Sequence, residues 1–309
     1  NLYSIPWEND FSKARNYSIG LAKYDWVLYL DADEEIEVKD LDAFKASLSE
    51  KQDVFYVPLQ HYESHDLSNL NNSYLSYHFR LFKKQTALTF EGKIHERLQL
   101  NNDTNYSRNN YIKINHFGYG EVDKKEKSIR NISMLLEEWS VTPDNAWLNY
   151  HIASELFQQH ELNTAYKVIN HALELSIASE CKPPALFYKL KYEILIYSRT
   201  TLNVLEGLEK AILIYPDYVD LHFYKGIILE RTKEYEKAIR AFQHCMSHHT
   251  VNCEYLNFVG MDSFLAAYHT YLCYLHLNNK EEADREYSEL EKKYPLFCEN
   301  MSTYDNKYI

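Results

Sequence analysis

The chain has 309 residues, 45% hydrophobic and 25% charged, a globular balance over a length that suggests two domains. Only 7 Gly and 7 Pro argue against a large all-β or linker-like protein. The net charge of -12 is shared evenly, -6 in residues 1–123 and -6 beyond, so no basic half or Lys/Arg run is offered to nucleic acid, and no nucleic-acid partner is expected.

Asn9 to Tyr24 reads as a helix, with Asn9 or Asp10 as N-cap and Phe11, Ala14, Ser18, Leu21 and Ala22 on its inner face. VLYL (27–30) is an unbroken apolar run, as in a strand covered on both faces. VFYVPL (54–59) and HFRLF (78–82) read as further strands. Residues 61–76 are polar and aromatic without a clean period, which predicts a long surface loop. His61 and His65 lie four apart in it; they are either ligands on one helix face or solvated loop histidines, and the missing helical pattern favours the latter. YIKINHF (111–117) alternates as a half-buried strand does. Strand, helix and strand at this spacing predict an α/β sheet.

From residue 124 the texture is helical, with a connecting helix over 127–139 and then a repeat. Tetratricopeptide units are helix pairs of about 34 residues with small residues at positions 8, 20 and 27, a large one at 24 and Pro at 32. With Gly226 at position 8, Ala238, Phe242 and Cys245 fall at 20, 24 and 27. The same register fits units at 146–179, 185–218 and 264–297, so four stacked helix pairs with a concave face are predicted. No apolar run nears the ~18 residues of a membrane span, and NLYSIPWEND lacks the features of a signal peptide. Five cysteines without CxxC spacing predict reduced thiols in a cytoplasmic chain, with neither disulfides nor a zinc site.

The chemistry concentrates in DWVLYLDADEE (25–35). If the chain stays extended past the strand, Asp31 and Asp33 point to the same side, at the strand end where open α/β sheets bind ligands. Two hard carboxylates suit Mg2+ or Mn2+, which could clamp a diphosphate. The same residues also fit a solvated acidic turn.

WENDFSKARN (7–16), DWVLYLDADEE, RLFKK (80–84), FEGKIHERL (90–98) and INHFGY (114–119) follow one another here. Together they resemble the ordered blocks of family 2 glycosyltransferases. Similar blocks occur in a bacterial branch with C-terminal tetratricopeptide repeats, including the peptide S-glycosyltransferases that modify glycocins. The resemblance implies a GT-A type fold, a nucleotide-sugar donor such as a UDP- or GDP-sugar, Mg2+ or Mn2+ at the DxD motif, and inverting transfer to a peptide, protein or glycan acceptor. By position it implies that Asp31 and Asp33 are the metal and diphosphate carboxylates, with Asp33 the direct ligand. Asp10, Arg15 and Asn16 would line or brace the donor side. Inverting transfer needs one base. Glu96 is the first candidate, since a carboxylate suffices if partial burial raises its pKa, and His95 the alternative as base or third metal ligand. His116 is a further candidate for a direct role, as a metal ligand.

The expected architecture is α/β plus all-α: a truncated GT-A-like mixed sheet over 1–123, a connecting helix over 124–145 and a tetratricopeptide superhelix over 146–300. The nucleoside-binding unit that opens other members has no counterpart here, which predicts an incomplete sheet with an exposed, association-prone edge and a possible homodimer. The competing expectation is a non-catalytic, peptide-binding scaffold with a relic transferase domain.

Overall fold

Asp10 starts the first helix: its carboxylate accepts from the Lys13 N–H at 3.0 Å, the geometry of an N-cap. The helix it caps is α1 (Phe11–Gly20), the first element in a computed structural model that describes residues 2–49, 51–62, 73–117, 121–201, 203–247 and 252–301. The chain divides into two units, one of residues 1–63 and 75–141, the other of residues 64–74 and 142–309.

The first unit continues with β1 (Trp26–Leu28), β2 (Glu34–Val38), α2 (Leu41–Ser47), β3 (Val54–Tyr62), β4 (Tyr74–Lys83), β5 (Phe90–Glu91), β6 (Arg97–Leu98), β7 (Tyr106–Arg108), β8 (Ile112–Phe117) and α3 (Glu121–Trp139). The main sheet runs β1-β4-β3-β8-β2 and is mixed: β3 and β8 are parallel, whereas β1 with β4 and β2 with β8 are antiparallel. β7 also pairs with β3, in parallel. Apolar side chains cover both faces. Phe55, Val57, Leu59, Leu81, Ile112 and Ile114 pack with Phe44 of α2 and the adjacent Leu48. Val27, Val54 and Phe82 pack with Ile19 of α1 and the adjacent Ala22. Each such side chain contributes about 1.5–3 kcal/mol of burial.

Three local expectations need correction. β1 ends at Leu28, the Tyr29 N–H still donates to the Arg80 carbonyl at 3.2 Å, and Leu30 is 39% exposed, so the run is not covered on both faces to its end. The chain then turns instead of staying extended: the Glu34 N–H donates to the Asp31 carbonyl at 3.1 Å. His61 lies on β3 rather than in a loop, paired in register with β8; His65 lies outside the described residues. The strand β2, EEIEV, escaped the reading because its composition disfavours strands. It forms because Ile36 and Val38 pair opposite Ile114 and Ile112.

The second unit consists chiefly of helices: α4 (Ala146–Gln158), α5 (Leu162–Ala178), α6 (Ala185–Tyr197), α7 (Val204–Ile214), α8 (Val219–Arg231) and α9 (Tyr235–Ser247). A short β9 (Asn257–Phe258) precedes α10 (Phe264–His276), α11 (Lys280–Lys293) and α12 (Pro295–Glu299). The first helix of each pair begins at 146, 185, 219 and 264, the starts that the repeat register predicts. The small-residue rule has a visible cause at Gly226, where an added Cβ would lie 2.4 Å from the Phe242 ring. Ala153, Ala165, Ala172, Ala211, Ala238 and Ala283 are likewise fully buried. A buried ion pair joins Lys189 of α6 to Asp220 of α8, and Asp220 also accepts the Phe258 N–H. Among the described residues no helix is long and apolar enough to cross a membrane.

Candidate functional site

Helix α1 brings Arg15 to the end of β1. There Arg15 grips Asp31 with both terminal nitrogens, at 2.9 and 3.0 Å, and contacts Glu96 through Nε. The fork geometry suits one guanidinium serving two carboxylates. Burial alone would lower the Arg15 pKa, but Asp31 and Glu96 raise it above the ordinary value, so its charge is permanent. Burial likewise pushes the Asp31 pKa up, yet Arg15, then Arg80 and His116, hold it below the usual carboxylate value.

A second arginine closes the group. Arg80, in the apolar run of β4, makes a bidentate pair with Glu34 at 2.9 and 2.7 Å and lies 3.7 Å from Asp31. Glu34 in turn accepts the Asp31 N–H at 2.8 Å, which fixes the turn. Tyr29 is shared by both guanidiniums, with Arg15 at 4.8 Å and Arg80 at 4.5 Å from its ring centre. Among the described residues the buried Nε of Arg80 has no hydrogen-bond partner.

Glu96 and His95 belong to residues 92–96, the loop of the β5–β6 hairpin. Gly92 enters it at φ +99°, a conformation that L side chains rarely adopt. His95 is also left-handed, at φ +53°, a costly conformation for a non-glycine residue. It retains solvent access, while desolvation of the ring and the Arg97 charge lower its pKa. The Glu96 side chain is only 9% exposed. Two contacts pin the hairpin to α1: the Asn16 amide donates to the Phe90 carbonyl at 2.9 Å and accepts the Phe90 N–H at 2.8 Å. The Phe11 N–H donates to the Lys93 carbonyl at 2.9 Å.

The residues singled out in the sequence therefore separate into groups. Arg15, Asp31 and Glu96 come together; Asn16 braces the hairpin beside them; Asp10 is occupied as the helix cap, bonded to Ser12 and Lys13. Asp33 meets His116, whose Nε2 lies 3.3 Å from its Oδ2, and the charge of His116 also reaches Asp31. The i, i+2 argument fails because residues 31–34 form a turn. Among the described residues no three His, Cys, Asp or Glu side chains group as a metal site. The Asp33–His116 pair still offers one carboxylate and one imidazole, a donor set that fits Mn2+ completed by phosphate and water oxygens, whereas Mg2+ would use the carboxylate oxygens alone. The oxygens of Asp31 each accept from Arg15, at 2.9 and 3.0 Å.

Behind His116 stands a polar line not anticipated from the sequence. Nδ1 of His116 is 3.1 Å from Nδ1 of His61; Nε2 of His61 is 3.2 Å from Ser76 Oγ, itself 3.0 Å from Nε2 of His78. Burial, then the charges of His78, His116 and Arg80, push the His61 pKa down to about 3. Arg80 and Glu34 were also missed. A charge inside the apolar HFRLF run was the available signal, since a buried arginine requires a carboxylate partner.

Residues 2–102 match the sequence profile of the Glycosyl transferase family 2. A TPR repeat-containing protein of Synechococcus elongatus is 26% identical over 209 residues, covering 64% of this chain and 49% of that protein. The SPbeta prophage-derived glycosyltransferase SunS of Bacillus subtilis is 28% identical over 152 residues, covering 46% of this chain and 34% of SunS. The chain thus spans about half of the first relative's length and a third of the second's. Among solved structures, the MamA protein aligns with 59% of this chain and 89% of its own, at 16% identity and a TM-score of 0.46. YrrB, a TPR protein with an unusual peptide-binding site, aligns with 59% of this chain and 87% of its own, at 13% identity and a TM-score of 0.45. Residues 2–102 are a family 2 glycosyltransferase domain, and the helix pairs that follow are a TPR-like region.

Proposed function

We propose that the protein transfers a sugar, with inversion, from a UDP- or GDP-sugar to a peptide or protein acceptor. The observation that carries this reading is the convergence of Arg15, Asp31 and Glu96, from a helix, a turn and a hairpin loop distant in sequence. One guanidinium linking a carboxylate at a strand end to a second on a hairpin loop is a device for fixing two reacting partners against each other. Similarity to the glycosyltransferase SunS, together with the TPR-like region, supports an acceptor of polypeptide class.

In this reading the donor diphosphate lies at the end of β1. Arg15 and Arg80 supply fixed positive charge where negative charge develops on the leaving group. Asp33 and His116 would hold a divalent cation, which when bound adds charge of the same sign. One oxygen of Glu96 is engaged by Arg15, which orients the carboxylate; we assign the other to take the acceptor proton. His95 is the neighbouring alternative.

Donor hydrolysis tests the reading. The protein is incubated with UDP- and GDP-sugars and Mg2+ or Mn2+, and free nucleotide is measured for the wild type and for Asp33→Asn and Arg15→Ala. Turnover with one donor class, lost in both variants with melting points kept, is the expected result. Turnover unchanged in both variants would remove the assignment of this site. Deleting 180–309 separates the roles of the helix pairs: loss of transfer to peptide with hydrolysis retained supports acceptor guidance, and loss of both indicates a structural role.

A further inference from the structure

Something must decide which way the His116 ring points and which of its nitrogens carries the proton. Neutral imidazole has one donor and one acceptor, so a ligand at Nε2 requires the proton on Nδ1. In this fold that Nδ1 meets Nδ1 of His61 at 3.1 Å, because the parallel register of β3 and β8 sets the two histidines opposite each other.

Two nitrogens at this distance bind when one donates and the other accepts. The groups behind them allow two continuous senses, and one of them frees Nε2 of His116. Nδ1–H of His116 donates to Nδ1 of His61. Nε2–H of His61 donates to Ser76 Oγ at 3.2 Å, and Ser76 donates to Nε2 of His78 at 3.0 Å. Ser76 and His78 stand two apart on β4 and so share a face of the strand. Four side chains from three neighbouring strands form one line, and its far end leaves a lone pair on Nε2 of His116, 3.3 Å from Asp33. Run in reverse, the line puts a proton on that nitrogen, donated to Asp33; a cation bound there excludes this sense. A phenylalanine at 61 would fill the same place without any such control.

We propose that His61, backed by Ser76, is a positioning residue that holds the ring of His116 and accepts its Nδ1 proton, so that its Nε2 lone pair is presented beside Asp33 to a divalent cation. The inference rests on the reading of Asp33 and His116 as that cation's protein ligands. Partners of this kind behind a ligating histidine change metal affinity by about 10- to 100-fold when removed.

The test uses the full chain and Mn2+, with free ion measured by electron paramagnetic resonance, alone and with UDP. His116→Ala tests the underlying reading; His61→Phe, His61→Gln and Ser76→Ala test the positioning. The expected result is weaker Mn2+ binding in His116→Ala, a loss of about 10- to 100-fold in His61→Phe, a smaller loss in Ser76→Ala, and recovery in His61→Gln. The glutamine amide can both accept from His116 and donate to Ser76. Nitrogen-15 spectra with Mg2+ should show His116 protonated on Nδ1 in the wild type, and mixed tautomers in His61→Phe. If His116→Ala binds Mn2+ as the wild type does, the metal reading itself fails. If His116→Ala weakens binding while His61→Phe and Ser76→Ala do not, the positioning role is overturned. Equal losses in His61→Gln and His61→Phe overturn it too, since the loss then follows from the changed shape. Should His61→Phe not fold, Ser76→Ala and the spectra decide.

Discussion

In the helical unit, Lys189 and Asp220 are 3% and 1% exposed, enclosed by the Tyr74, Tyr224 and Phe258 rings. In the sheet unit, Arg15 and Arg80 meet the carboxylates Asp31, Glu34 and Glu96, and Asp31 keeps 38% of its side-chain surface. Both are clusters of ion pairs. One is sealed, with Lys189 paired to Asp220 and the buried Glu193 carboxylate close enough to raise the Asp220 pKa. The other has two arginines at an open strand end, one of them with a buried Nε that has no partner among the described residues. Closure makes a charge pair a packing element; access makes it a place for a ligand's charge.

The largest expected effect sharpens that contrast from the open side. Glu96→Gln should reduce transfer by about 10²- to 10⁴-fold, the usual range for losing a general base, with little change in melting point. A variant that unfolds instead would put Glu96 with the sealed pair. From the closed side, Asp220→Ala leaves Lys189 buried and uncompensated and should lower unfolding free energy by about 3–5 kcal/mol. Urea titration measures it, and a loss below ~1 kcal/mol would show that water reaches Lys189. Gly226→Ala probes the packing beside that pair: with Phe242 fully buried, the added methyl should cost about 1–3 kcal/mol in the same titration.

Acid separates the two clusters by sign. The Asp31 pKa is depressed in the folded protein, so its contribution to stability is present above the ordinary carboxylate value and is lost as pH falls through the lowered one. The Asp220 pKa is raised, because burial outweighs Lys189 and the Phe258 N–H, so acidification through that range favours the fold at this one site. Asp31→Asn should therefore flatten the acid limb of a stability–pH curve, and Asp220→Asn should steepen it. The smallest effect belongs to the exposed Lys210–Glu206 pair of α7, where Lys210→Ala should leave the melting point unchanged within error.

The two units were also unequally legible. Tetratricopeptide spacing repeats a local rule, and one glycine, Gly226, brought four helix starts into register. In the sheet unit, VFYVPL and HFRLF announced β3 and β4 because both are apolar and buried. EEIEV announced nothing, since its strand character comes from Ile112 and Ile114 rather than from itself. At the site, residue types were readable and partnerships were not. Arg15 stands 81 positions from Glu96, and Arg80 46 from Glu34. The turn after Asp31, which sends Asp33 to His116, depends on Glu34 and Arg80 and so on the same distant pairing.

The parallel pairing of β3 with β8 has a further, kinetic consequence. It joins Leu59 to Ile114 and His61 to His116, 55 residues apart, whereas α4 to α11 pack mainly on near neighbours in sequence. Loop closure over such a span must precede any reward from the pairing, and sheets of this kind fold more slowly than helical arrays. During refolding, helical circular dichroism should recover first and Mn2+ or nucleotide binding last. The site would then report when the slowest part of the molecule has arrived.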